Sequence, residues 1–186
     1  MKYIRNLLIL AIAIFGFSTV NAQAQQQYYA VGKNVSTAAI ERKVRHEILM
    51  LPYYGVFDSI GYRLEGNTVV LSGKVVQPTT KKDAGRVVEK IEGVSNVVNN
   101  IEVLPLSNFD DSIRVSALRT FARSGGLYRY FQGVNPPVRI IVGNGHLSLE
   151  GYIATRGDYN YLNVLAHGIP GVFSVDNNLI IEKERP

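Results

Sequence analysis

Three histidines are the first residues that could do acid–base or metal chemistry, and their spacing argues against both. His46, His146 and His167 stand on a predicted helix, at a hairpin turn and near a helix end. No pair has H-x-x-x-H spacing, and no carboxylate cluster accompanies any of them. The chain contains no cysteine, which removes disulfides and thiolate metal sites. No serine occupies a G-x-S-x-G setting. Gly143-Asn144-Gly145 has the look of a nucleotide fingerprint, but it joins two predicted strands and no helix follows. The expectation is a binding protein, not an enzyme, with no cofactor and no metal.

Two aromatic stretches offer binding chemistry instead. One is Leu127-Tyr128-Arg129-Tyr130-Phe131, with Arg119 and Arg123 upstream; the other contains Tyr53 and Tyr54 within Leu51–Phe57. Tyrosine combines an apolar ring with a polar tip, which suits a bilayer headgroup level or the rim of a protein interface. Arginine beside it can meet lipid phosphates through charge-assisted hydrogen bonds. These nine residues are the candidate lipid- or partner-binding set. The competing account has the aromatics sealing the open end of a small core, or packing one part of the chain on another.

The elements that must position them occur twice. Leu64–Pro105 lies over Val142–Lys183 without a gap at an offset of 78 residues. Leu71 falls on Leu149, Gly73 on Gly151, Gly93 on Gly171, and Asn99-Asn100 on Asn177-Asn178. Ahead of that, Ile40, Val44, Ile48 and Leu51 recur at helical spacing after Ser36 or Thr37, as do Ile113, Ala117, Leu118 and Phe121 after Asp110-Asp111. Those two acids suit a helix N-terminus. Here the offset is 73, so the second copy carries five extra residues before its first strand. Alternating Ile60, Tyr62, Leu64 and Val69, Leu71, Val75 flank the turn Gly66-Asn67, and Asn144-Gly145 plays that part in the second copy. Gly73 and Gly151 read as packing glycines that admit a helix backbone. A second helix is expected to start at Thr80 or Asp158 as N-cap, bury Ala84, Val87, Val88 and Ile91 or their counterparts, and end at Gly93 or Gly171 in the left-handed conformation. A last strand carries Val97, Ile101 and Val103. One asparagine of each pair should turn inward and bond loop backbone. The fold class is α+β: two tandem α-β-β-α-β modules, each a small three-stranded mixed sheet with two helices on one face.

The ends and the charge narrow the setting. Lys2 and Arg5 precede the apolar run Leu7–Phe17 and the small residues of Val20–Ala24, the layout of a cleavable secretory signal peptide over 1–24. The run is about half the ~20 residues a membrane span needs. Cleavage after Ala22 or Ala24 fits equally. Residues 25–35 read as a flexible, glutamine-rich leader. Without a cysteine there is no lipoprotein anchor, so a soluble exported protein is expected. The formal charge is +5, of which Lys2 and Arg5 carry two, and the remainder is dispersed. No basic stripe or recognition motif supports nucleic-acid binding.

Leu71-x-Gly73, then about twenty residues, then Gly93-Val94-x-x-Val97-x-Asn99 resembles the BON domain, and Leu149-x-Gly151 with Gly171-Val172-x-x-Val175-x-Asn177 repeats it. The resemblance covers residues 36–105 and 108–183. It implies similarity to tandem-BON periplasmic proteins, including osmotically induced ones, and peripheral binding to anionic phospholipid or another envelope component. The alternative is a protein-interaction module of an envelope complex. The family brings no catalytic residues, and the resemblance leaves the partner and the oligomeric state open.

Overall fold

The structure, a computed structural model, describes residues 36–182. The expected signal peptide and leader lie outside the described residues. The first module runs α1 (Thr37–Leu49), β1 (Ser59–Glu65), β2 (Thr68–Val75), α2 (Pro78–Glu89) and β3 (Asn96–Val103). The second runs α3 (Asn108–Arg123), a 3-10 turn (Leu127–Tyr130), β4 (Val138–Gly143), β5 (His146–Ile153), α4 (Arg156–His167) and β6 (Ser174–Ile181).

Each sheet has the order first, second, third strand. The hairpin strands pair antiparallel, with Tyr62 opposite Leu71 and Ile140 opposite Leu149. The third strand returns parallel through a helix, with Leu71 opposite Asn99 and Leu149 opposite Asn177. The 78-residue repeat thus fixes the same register twice. Val69, Leu71 and Val75 point inward beneath Ile40, Val44 and Ile48 of α1 and Ala84 and Val88 of α2, all buried. In the second module Leu147, Leu149 and Ile153 meet Ile113, Ala117, Phe121, Leu162 and Ala166 in one core.

Several local expectations are corrected. Thr80 is not an N-cap: α2 starts at Pro78, whose fixed φ and missing N–H suit the first turn, after Gln77 in extended backbone. Asp158 lies inside the first turn of α4, and Thr155 is the cap, accepting from the Asp158 N–H at 3.1 Å. The helices end at Glu89 and His167, short of Gly93 and Gly171, although both glycines do have the left-handed φ, +96° and +88°. Val87 and Leu165 are only half-buried. Gly73 and Gly151 admit a strand, not a helix: a Cβ would lie 2.1 Å from the Ser59 carbonyl oxygen and 2.0 Å from that of Pro137. The glycine that serves helix–sheet contact is Gly85, whose Cβ would meet Asn99 Nδ2 at 2.9 Å. Asn99 uses that room to donate to the Lys81 carbonyl of α2 at 2.8 Å, while its Oδ1 accepts from the Ile101 N–H. Its inward, structural duty is as expected, but the acceptor is helix backbone rather than loop.

The described residues from Thr37 onward form one compact unit, so the two modules pack together. β4 is the edge strand of its sheet, yet Val138–Val142 is buried throughout. The first module covers it: Ile140 N–H donates to the Val56 carbonyl at 2.8 Å, and Val56 and Phe57 pack against the second core. Pairing an edge with a loop removes the open row of backbone donors that would otherwise recruit another strand.

Candidate functional site

The nine candidate residues divide into a sealed group and an exposed group. Leu127 is fully buried, and Tyr130 and Phe131 nearly so. Phe131 stacks on Phe121 of α3 with ring centroids 5.3 Å apart. The Tyr130 hydroxyl donates to Asp158 Oδ2 at 2.7 Å and accepts from the Ala154 N–H and Arg129 Nη2, which uses its full bonding capacity. Arg129 also donates to Asp158 at 2.7 Å. Burial raises the Asp158 carboxyl, but hydrogen bonds from Tyr130 and Thr155 and the charge of Arg129 outweigh it, and its pKa is lowered. The five-residue insertion therefore supplies a plug: it closes the end of its own core and tethers that closure to α4.

Tyr54 is half-buried and tied into the fold. Its hydroxyl accepts from the Ile60 N–H at 3.2 Å, and its ring lies under the Arg139 guanidinium, 4.5 Å from Cζ to centroid. Arg119, Arg123, Tyr128 and Tyr53 remain on the surface. Arg119 and Arg123 are four residues apart on the solvent face of α3, so their side chains stand on one stripe, which half-exposed Val115 continues toward the helix start. Neither guanidinium has a carboxylate at ion-pair distance among the described residues. Tyr128, about half exposed, lies on the turn that follows the helix. Tyr53 sits on the other module.

Three buried charges, Asp58, Arg114 and Arg139, were not singled out by sequence reasoning, and a fourth, Asp110, was read there only as an acid at a helix N-terminus. Asp110 is fully buried and accepts from the N–H groups of Asn144 and Gly145, at 2.9 and 2.8 Å. Arg114 is buried beside it, donating to Asp111 and to the Val142 carbonyl. Asp58 accepts from the Gly55 and Val76 N–H groups; burial raises its carboxyl above the ordinary value, opposed by those bonds and by Arg139 and Arg114. Arg139 donates to the Gly55 carbonyl at 2.8 Å, and burial lowers its pKa against the pull of Tyr54 and Asp58. In a strand pattern Arg139 occupies an outward position and reads as solvated. The available signal was Ile141, the next outward residue: an apolar side chain there says that this face is covered.

Among the described residues no group of histidine, cysteine and carboxylate side chains could hold a metal ion, and no helix is long and apolar enough to cross a membrane. His46, His146 and His167 are exposed and far apart in the chain.

The family model described as BON domain matches twice, over residues 36–105 and 110–183. No curated protein matches the chain. Among solved structures the chain is similar to the C-terminal domain of CdsD, the structural protein of the type III secretion system of Chlamydia trachomatis. That match has 15% identity, covers 81% of this chain and 68% of that one, and has a TM-score of 0.31. A second CdsD structure matches at 13% identity, covering 78% and 94% of the two chains with a TM-score of 0.27.

Proposed function

We propose a function on the premise that the chain belongs to the BON domain family, with two copies of the domain in tandem. BON domains are binding domains of envelope-associated proteins, and that much describes this chain. The finer reading is an exported, non-enzymatic periplasmic protein that binds anionic phospholipid peripherally and acts in envelope stress, osmotic stress included. The observation that carries it is the stripe of Arg119 and Arg123, two exposed guanidiniums without carboxylate partners among the described residues, with exposed Tyr128 on the turn that follows the helix. Guanidinium forks match phosphate geometry, and a half-exposed tyrosine ring suits the headgroup level. Leu127, Tyr130 and Phe131, although in the candidate set, support this surface from beneath, and exposed Arg129 is engaged by Asp158.

Co-sedimentation of the mature protein with vesicles of phosphatidylglycerol and phosphatidylcholine tests it. The Arg119→Glu/Arg123→Glu variant should lose most binding, and binding should fall as salt rises, since exposed charges are screened over about 8–10 Å at physiological ionic strength. Undiminished binding by that variant refutes the assignment.

One observation favours a second reading, a protein-assembly module. Leu106 is fully exposed, and the exposed rings of Phe109 and Phe173 stack 5.8 Å apart at one end of the second module. Association through that apolar end would be insensitive to salt.

A further inference from the structure

A cleft of about 320 Å³ opens between the modules, walled by α1 and β1 on one side and by the Asn135–Arg139 segment on the other. Its lining includes two arginines, Arg45 and Arg139, three tyrosines and the apolar surfaces of Ile48, Pro136 and Pro137, but no carboxylate. Its volume falls within the range of small-ligand sites.

Arg139 makes this cleft more than a seam. The residue is 8% exposed, and none of its nitrogens lies within ion-pair distance of a carboxylate among the described residues. The nearest compensating charge, Asp58, is committed to the Gly55 and Val76 N–H groups. Of the guanidinium's donors, Nη1 is used on the Gly55 carbonyl, and the ring of Tyr54 supports its face. Arg114 Nε is sealed without a partner, whereas no nitrogen of Arg139 is so sealed, so its remaining donors reach the open space of the cleft. A buried charge normally has a partner or is costly to keep. Here the protein supplies neutral support on one face and leaves the other free. Exposed Arg45 on α1 adds a second positive charge at the rim.

We propose that the inter-module cleft is a binding site for a single oxyanion, a phosphate carried on a small apolar body, with Arg139 as the buried anchor and Arg45 as the rim clamp. Guanidinium donors fit a phosphate in bidentate fashion. The prolines and Ile48 provide rigid apolar wall, and the Tyr54 hydroxyl, which accepts from the Ile60 N–H, keeps its proton to donate. The site is built from both modules, so it exists only in the tandem arrangement. It is distinct from the Arg119–Arg123 stripe and does not depend on it.

The test uses the mature two-module protein and three probes: inorganic phosphate, phenyl phosphate, and dihexanoyl phosphatidylglycerol below its micelle concentration. Binding is followed by amide and tyrosine-ring NMR shifts and by calorimetry. Phenyl phosphate or the short-chain lipid should shift the signals of Tyr54 and Tyr62 and bind about tenfold tighter than inorganic phosphate. Preference for the lipid identifies a headgroup as the source of the phosphate; preference for phenyl phosphate identifies a soluble monoester. Arg139→Lys and Arg45→Gln should each weaken binding about tenfold, as expected for loss of a charge-assisted hydrogen bond. Arg45 is exposed, so its variant keeps the test valid if Arg139→Lys perturbs folding. Absence of shifts at Tyr54 and Tyr62 with every probe up to about 10 mM, or affinities unchanged in Arg45→Gln, overturns the proposal.

Discussion

Replacing Asp110 by asparagine isolates what a buried carboxylate does for a β-turn. Its two oxygens accept from consecutive backbone N–H groups, Oδ2 from Asn144 and Oδ1 from Gly145. The turn conformation itself does not need the acid. Asn144 and Gly145 have φ of +53° and +78°, values that asparagine and glycine adopt readily in a two-residue hairpin. What Asp110 provides is acceptors for two amides that the turn points into protein instead of water. Asparagine keeps one acceptor oxygen and places an NH2 group against the other amide. One charge-assisted bond weakens, at about 1 kcal/mol, and one N–H is orphaned, at about 1–3 kcal/mol. A loss of roughly 2–4 kcal/mol is expected, which is a large part of the ~5–15 kcal/mol stability of a domain. At about 2–4 °C per kcal/mol for a chain of this size, the melting temperature should fall by roughly 5–15 °C. Urea unfolding monitored by far-UV circular dichroism measures the free energy, and exchange of the Asn144 and Gly145 amide protons locates it. Asn67→Ala is the control in the first module, where an exposed side chain donates to the Gly93 carbonyl at 2.9 Å; it should cost no more than about 1 kcal/mol. A shift below about 0.5 kcal/mol for Asp110→Asn with an unchanged m-value would refute the reasoning, because the turn amides would then be satisfied by water.

Gly151→Ala should destabilise by about 3 kcal/mol or more, since φ is +115° and the new Cβ would lie 2.0 Å from the Pro137 carbonyl oxygen. Gly125→Ala, with nothing within 4 Å of its Cβ, should stay within about 0.5 kcal/mol of the parent; similar unfolding of the two variants would contradict the packing argument. Tyr130→Phe removes the hydroxyl that joins Ala154 and Asp158 while keeping the ring in the core, and chemical denaturation should register a loss of about 1–2 kcal/mol; a neutral result would mean that water replaces it. Asp58 sets a pH dependence. Its folded pKa is raised, so in the window above the ordinary carboxylate value the native state holds more protons than the unfolded chain, and stability contributed by this group is lost as pH rises through the folded value. Melting curves from about pH 4 upward should show Asp58→Asn lacking that decline; a parallel slope in parent and variant would show that another group is responsible.

The two-module α+β architecture was legible because its signals are local and doubled. Periodicity, turn dipeptides and an ungapped repeat each report one element, and a second copy in register confirms the strand pairing. Helix boundaries were less legible. Thr80 has the right chemistry for a cap, but Pro78 starts the helix two residues sooner, and a proline's φ preference operates without any side-chain acceptor. Gly73 and Gly151 announced close approach without saying of what, since a glycine is equally absent toward a helix or a strand.

The candidate site was harder to read for a reason of geometry. A stretch such as Leu127–Phe131 has the same composition whether it faces a membrane or plugs a core, and the insertion resolves the choice. Five added residues between helix and strand create an opening at the end of the core, and an opening in apolar packing is stably closed only by apolar groups carried in with it. Leu127, Tyr130 and Phe131 do that, and Asp158 on α4 takes up the polar ends. The charges that matter to the inter-module cleft were hidden for the converse reason. Arg139 is outward in its own sheet, and only the arrival of Tyr54 and Gly55 from the other module buries it. Repeats register what the copies share, whereas a surface made where two copies meet must use positions at which they differ. Val69 and Leu147 could be matched along the chain; the partner of Arg139 could be found only across the fold.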